Sequence, residues 1–307
     1  MNIAATRAAY QTGQITKAEY ISQMHRLHAL LFEYADYLRD TDITSIEIQP
    51  GQVVMTARAS GIRLLCDSAN KRIAPLEILN FGRYEAQDAE LLMRLARPTM
   101  NVFDVGANIG WYALNFARCA PSIQVYAFEP VLETYRMLVR NTQLNLASNV
   151  HPFHLGLSNQ TGTVTFYIPP GGADNASAAN LSGRDDVLQQ QCPVTTLDEF
   201  VRQQGLRVDL LKCDVEGAEL FVLQGGRTVI PRDRPVIFVE MLRKWCAPFH
   251  YHPNEILQLL REFGYRCFTA NGPGAKEFEQ MDDSTVETNF FFLHPDQHAQ
   301  QMRELIQ

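Results

Sequence analysis

This sequence has no run of Lys and Arg, no C-x-x-C pair and no window near the roughly 20 apolar residues of a membrane span. Each absence removes a class of function. Without a basic patch there is no electrostatic footprint for nucleic acid, and the net charge of −7 points the same way. Six cysteines (Cys66, Cys119, Cys192, Cys213, Cys246 and Cys267) lie scattered, without zinc-site spacing. They read as reduced thiols of a cytoplasmic protein, several on buried faces. The opening residues MNIAATRAAYQTGQ lack a signal-peptide apolar core, so no membrane partner is expected. What remains is ample for a core: 307 residues, 46% of them hydrophobic. That suits one large domain, or a domain with an appendage.

Residues 1–40 read as helical. Tyr20, Ile21, Met24, Leu27, Leu31, Tyr34, Ala35 and Leu38 recur at steps of three and four, which makes one face to bury. Packing or dimerisation is the plain reading, and a lid over substrate is the sharper one. Between 43 and 67 the period shortens. Short strands are expected at 46–48, 53–57 and 62–66, joined by turns at 49–52 and 59–61. Residues 73–97 return to helix and stop at Pro98.

From residue 100 strands and helices alternate. Strands are expected at 100–104, 124–128 and 150–154, with helices at 111–119 and 132–146. This spacing implies βαβ units and a parallel sheet with right-handed crossovers. The pattern breaks at an added strand, 163–168, and a long small-residue loop, 169–180, which can be a binding loop or plain flexible chain. It resumes with a helix N-capped by Thr196. Strands at 208–213 and 235–239 follow, with helices at 218–223 and 253–263. Two last strands, 265–268 and 289–293, would form an antiparallel edge hairpin around a polar loop.

The informative stretch is Asn101-Val-Phe-Asp-Val-Gly-Ala-Asn-Ile-Gly-Trp111. A strand passing through a glycine turn into a helix points free backbone N–H groups at a ligand. A nicotinamide fingerprint would read G-x-G-x-x-G, but Asn108 and Trp111 stand where its second and third glycines belong. The second glycine lets the backbone approach a pyrophosphate, and Asp104 would repel one. Asp104 suits a cationic ligand instead. Glu129, at the end of the next strand and followed by Pro130, can take both ribose hydroxyls. A ribose, no phosphate and a positive centre describe S-adenosylmethionine. Helix capping by the two acids is the structural alternative.

Phe103-Asp-Val-Gly-Ala-Asn-Ile-Gly110, Phe128-Glu-Pro130, Thr196-Leu-Asp198 and Leu211-Lys-Cys-Asp-Val-Glu-Gly-Ala-Glu219 together resemble the FkbM family of S-adenosylmethionine-dependent methyltransferases. The resemblance spans roughly residues 83–242. It implies the Rossmann-like class I methyltransferase fold: an α/β domain with a mostly parallel seven-stranded sheet whose last strand is antiparallel. It also implies O-methylation of a hydroxyl, commonly on sugars or polyketide-like metabolites. Cys213 stands where an aliphatic residue is expected, a conservative core change. Residues 1–80 lie outside the resemblance. They are expected to be an appendage for substrate choice, a lid or an oligomer contact, with the methyltransferase domain at 81–307.

The second acidic cluster is expected to face the same crevice. A hydroxyl is a poor nucleophile until its proton leaves. Asp214 and Glu216 are candidate bases, with Lys212 as their ion-pair partner or a substrate contact. Asp214 and Glu240 are candidate ligands for Mg2+, which would lower the hydroxyl pKa. The cofactor set is Asp104, Gly106, Asn108, Gly110, Glu129, Pro130, Leu157 and Ser158. The acceptor is expected to be a small molecule or glycan. An NAD-dependent sugar oxidoreductase and a catalytically silent binding protein are the alternatives.

Overall fold

The computed structural model describes residues 2–170, 172 and 176–305. The chain opens with helices α1 (Ile3–Gln11) and α2 (Lys17–Tyr37), which Gly13 (φ +71°) separates. The expected single helix is therefore a hairpin. After a 3-10 turn, Leu38–Asp40, come β1 (Ile43–Gln49), β2 (Gln52–Ala57) and β3 (Arg63–Cys66), an antiparallel sheet in that order. The helix expected at 73–97 is two helices, α3 (Ala74–Phe81) and α4 (Ala86–Leu95). Gly82 at φ +84° and Glu85 at φ +44° turn the chain between them, and that break brings residues 83–85 to the site described below.

Then follow β4 (Asn101–Val105), α5 (Trp111–Cys119), β5 (Gln124–Phe128), α6 (Leu132–Leu144) and β6 (Val150–Phe153). A second small sheet pairs β7 (Gly156–Leu157), β8 (Gly162–Ile168) and β9 (Leu188–Thr195) in the order β7-β9-β8. The strand β9 has no counterpart in the sequence reading. Its LQQQCPVT is too polar to register, and exposed positions dominate its length. Of the small-residue loop 169–180, residues 171 and 173–175 lie outside the described residues. The chain continues with α7 (Leu197–Gln204), β10 (Leu210–Cys213), α8 (Glu219–Gln224), α9 (Val229–Asp233), β11 (Val236–Glu240) and α10 (Arg243–Cys246). It closes with a 3-10 turn at Ala247–Phe249, α11 (Asn254–Glu262), β12 (Arg266–Asn271), β13 (Gly274–Phe278), β14 (Asn289–Leu293) and α12 (Ala299–Leu305).

The main sheet runs β13-β12-β14-β11-β10-β4-β5-β6. β6, β5, β4, β10 and β11 are parallel, and β14 enters antiparallel between β11 and β12. That is the class I methyltransferase arrangement, with one correction to the expected count. Residues 274–278, expected within a polar loop, pair with β12 as an eighth, outer strand.

Alternation along each strand divides the core in two. Phe103, Val105, Leu211, Cys213, Ile237 and Val239 pack on one face of the sheet; Val102, Leu210, Val236 and Phe238 pack on the other. The appendage shares the second layer, since Ile62, Leu64 and Ile73 join it. It is also stitched to α6, where Asn141 and Asn145 accept the Leu65 and Arg63 N–H groups, each at 2.9 Å. Residues 43–80 thus pack against the main sheet's helices. No helix among the described residues is long and apolar enough to cross a membrane.

Candidate active site

The carboxyl ends of β4, β5, β10 and β11 open into a cavity of about 800 Å3. Asn108 adopts φ +50° in the turn after β4, which suits Asn among non-glycine residues. Gly106 leaves no room for a side chain: a Cβ there would lie 1.7 Å from the Asp214 carbonyl oxygen. The glycine thus lets the β4 and β10 turns touch. Glu129 closes the other side. One of its carboxylate oxygens accepts the Asn108 N–H at 3.0 Å and the other the Val131 N–H at 2.8 Å. Burial pushes this carboxyl up to about 7, against the pull of those two N–H groups. Asn108, Glu129, Pro130, Leu157 and Ser158 all line the cavity with Gly106.

Two residues of the expected cofactor set do not line it. Asp104 shares the sheet face of Val102 and is fully buried behind the turn. Its carboxylate is met by Lys212 at 3.3 Å. Gly110 is the N-cap of α5 at φ +97°, and a Cβ there would strike Leu138 at 2.7 Å. Its smallness serves helix packing.

Lys212 touches Asp104 and Asp214, both at 3.3 Å, and donates to the Gly106 carbonyl at 2.9 Å. Those three partners match its three donors. Burial works against its charge, but Asp214, Asp104 and Glu85 outweigh burial and hold the ammonium above its ordinary range. Through these contacts Lys212 holds the Gly106 turn, Asp104 and Asp214 in place.

Asp214, Glu216 and Glu240 bring carboxylate oxygens within 4.8 Å of one another, the cluster with metal-ligand spacing among the described residues. Burial pushes Glu240 well above the usual carboxylate range, and the charges of Asp214 and Glu216 add to it. Glu216 sits at φ +55°, and its carbonyl accepts the buried Ser177 hydroxyl at 2.7 Å. This pins the loop carrying Ala176 and Ala178 to the cavity wall. Glu219 is not a site residue. It is buried, accepts the Val215 and Gly217 N–H groups at 3.0 Å each, and holds the β10 turn in shape.

The sequence reading missed Glu85 and Tyr112. Both line the cavity, and the Tyr112 hydroxyl donates to Glu85. Burial and the Asp214 charge push Glu85 up to about 7. Glu85 occupies the N-cap of α4 without capping it, so its carboxylate is spent on the cavity. No spacing rule marks a single Glu inside a helical pattern. Tyr84, Lys244 and Trp245 are further lining residues, with the Lys244 ammonium 4.4 Å from the Trp245 ring centroid. His154 stacks on Tyr135 and is not part of the wall.

Residues 104–267 match the family described as the methyltransferase FkbM domain. This chain belongs to that family. Three relatives extend the comparison. Methyltransferase sdnD of Sordaria araneosa is 36% identical over 40% of this chain and 59% of its own. Hexuronic acid methyltransferase AglP of Haloferax volcanii is 31% identical over 47% of this chain and 56% of its own. The 2-O-methyltransferase NoeI of Sinorhizobium fredii is 26% identical over 47% and 65%. The FkbM chain thus spans somewhat over half the length of these curated relatives.

Proposed function

We propose that this FkbM-domain protein is an S-adenosylmethionine-dependent O-methyltransferase acting on a hydroxyl of a small molecule, a sugar or glycosylated metabolite. The observation that carries the reading is the sharing of one cavity by the Glu129 turn and the Asp214, Glu216, Glu240 cluster. The residues fit the cofactor. Glu129 keeps lone pairs for two ribose hydroxyls beyond its two backbone bonds. Gly106, Asn108, Pro130, Leu157 and Ser158 would wall it. The buried Trp111 indole N–H lies in a side chain that lines the cavity and has no partner among the described residues. When bound, the cofactor supplies an electrophilic methyl group.

The chain's own residues handle the proton and the charge. Asp214, held by Lys212, and Glu216 face the position where an acceptor hydroxyl must lose its proton. With Glu240 they form a hard oxygen set that suits Mg2+, which would lower the hydroxyl pKa. Mutual repulsion of three close acids is the cost that a cation would offset. Residues 72–85 and 244–249 supply a further part of the wall, and we assign acceptor choice to them. The names of AglP and NoeI support a sugar hydroxyl. A nicotinamide cofactor suits this turn poorly, because Glu129 already takes the Asn108 N–H that a pyrophosphate would need.

Thermal unfolding tests the reading. S-adenosylmethionine at 100 times its Kd should stabilise the protein by about 2.7 kcal/mol, while NAD does nothing. Stabilisation by NAD alone would sink the proposal. Transfer of a labelled methyl group to a sugar panel tests the acceptor class.

A further inference from the structure

Two acids grip the turn that leads from β4 into α5, one at each end. Glu129, after β5, accepts the Asn108 N–H. Glu85, from the break between α3 and α4, accepts the Tyr112 hydroxyl. Tyr84 joins this second contact, its ring edge-on to Trp111 with centroids 5.9 Å apart. Residues 84–85 are thus docked on residues 111–112, and both acids line the one cavity.

Glu85 is placed for the cavity and not for its helix. Its φ of +44° is left-handed, a strained choice for a residue other than glycine, and strain of this kind persists where a site needs it. It occupies the N-cap of α4 but makes no cap hydrogen bond. Tyr112 takes one carboxylate oxygen, and the other has no donor among the described residues. Burial and the Asp214 charge both work against the ionised form, so a cation beside it would be stabilising. Lys212 is near enough to act on Glu85, but its three donors go to Asp104, Asp214 and Gly106.

The other acids of the cavity are already engaged. Glu77 meets Arg72 at 3.4 Å, and Asp214 meets Lys212. Glu129 is set for the ribose, and Glu216 and Glu240 gather with Asp214 in a cluster that does not include Glu85. Asp104 is buried behind the turn against Lys212. The cofactor's amino-acid end carries an ammonium group, which needs an acid at this turn. Resting on the cofactor reading above, we propose that Glu85 is the counter-ion of the α-ammonium of S-adenosylmethionine, with Tyr112 positioning its carboxylate. A ligand lying across the turn then meets Glu129 at its ribose and Glu85 at its amino-acid end. Glu85 lies upstream of residues 104–267, which match the family. Of the wall at 72–85, this one residue serves the cofactor.

Calorimetry at pH 8, above the Glu85 value of about 7, tests this with three probes. They are S-adenosylhomocysteine, its analogue without the α-amino group, and 5′-methylthioadenosine, which lacks the whole amino-acid end. In the wild type, loss of the α-amino group should weaken binding about tenfold or more, the worth of one charge-assisted hydrogen bond. Glu85→Gln should weaken S-adenosylhomocysteine by a similar factor and leave the other two probes unmoved. Tyr112→Phe should give the same pattern more weakly, and EDTA should change none of these results. Far-UV circular dichroism checks that both variants fold. Equal wild-type affinity for S-adenosylhomocysteine and the deaminated analogue overturns the proposal, whatever the variants do. So does a Glu85→Gln loss shared equally by all three probes, which would make Glu85 a structural residue. A loss that EDTA abolishes would assign Glu85 to a metal and overturn it as well. If the wild type binds no probe, the cofactor reading falls too; if it binds them and Glu85→Gln is indifferent, the ammonium assignment falls alone.

Discussion

Lys212 and Asp104 stand directly opposite each other on neighbouring parallel strands, and their charged ends are 3.3 Å apart in the sealed interior. Because Lys212 also reaches Asp214 and the Gly106 carbonyl, this pair ties the Gly106 turn to the acidic cluster. The two halves of the site are thereby held in register by one ammonium group.

Removing that group should be costly. Lys212→Met leaves Asp104 buried without a counter-ion, a change worth about 3 to 5 kcal/mol. Adding Asp104→Asn should recover much of the loss. Urea unfolding of the two single variants and the double variant measures the coupling; simple additivity would contradict a direct pairing.

Gly106→Ala should fail for lack of space. The new methyl group would lie 1.7 Å from the Asp214 carbonyl oxygen, and φ there is +77°. The β4 and β10 turns must separate, so S-adenosylmethionine binding by calorimetry should fall at least tenfold. Gly51→Ala, at the matching φ of +78° but with no described atom within 4 Å of the added methyl, provides the comparison.

Glu129 predicts a pH dependence. Its folded-state pKa, about 7, lies above its ordinary value of 4.5, so the folded protein holds an extra proton between these values. Stability of the free protein should therefore fall as pH rises from about 4.5 to about 7, then level off. Glu85 and Glu219, also pushed up to about 7, act in the same direction. Glu129→Gln should flatten part of this slope. Ribose hydroxyls donating to Glu129 favour its charged form, so S-adenosylmethionine affinity should rise with pH through 7 in the wild type and rise less steeply in the variant. Calorimetry at pH 6, 7 and 8 reads this directly.

Glu240 is held well above the usual carboxylate range by burial and by the acidic neighbours Asp214, Glu216, Glu219 and Glu85. Glu240→Gln should therefore raise Tm in metal-free buffer while lowering methyl transfer. Mg2+ should raise the Tm of the wild type and leave the variant unmoved. Wild-type turnover indifferent to EDTA would remove the metal from the proposal.

Much of the molecule was legible in the chain. The alternation of apolar strands and amphipathic helices from residue 100 onward announces a parallel sheet, and Thr196 does cap α7, accepting the Glu199 N–H at 3.0 Å. The outer strand β13 escaped because it carries no apolar face of period two, and β9 because Gln189–Gln191 interrupt its own, leaving Cys192 and Val194 as its only buried apolar residues. Asp104 is buried behind the cavity wall, which was not legible for a related reason. Its position before the turn is visible, but the face of β4 on which its side chain lies follows from strand parity and from Lys212 across the ladder. Glu85 was hidden inside a helical pattern that the αL turn at 82–85 interrupts.

The sequence by itself determined the local chemistry: which glycines turn, which strands bury, and that acids end strands β5, β10 and β11. Those properties depend on residues a few positions apart, where backbone sterics and periodicity act. Only the tertiary structure decided which charges meet. Lys212 and Asp104 are 108 positions apart, and Glu85 and Tyr112 are separated by a strand and a helix. Their pairing comes from sheet register and helix packing, which no local pattern encodes. A buried charge takes its role from the partner that folding brings to it.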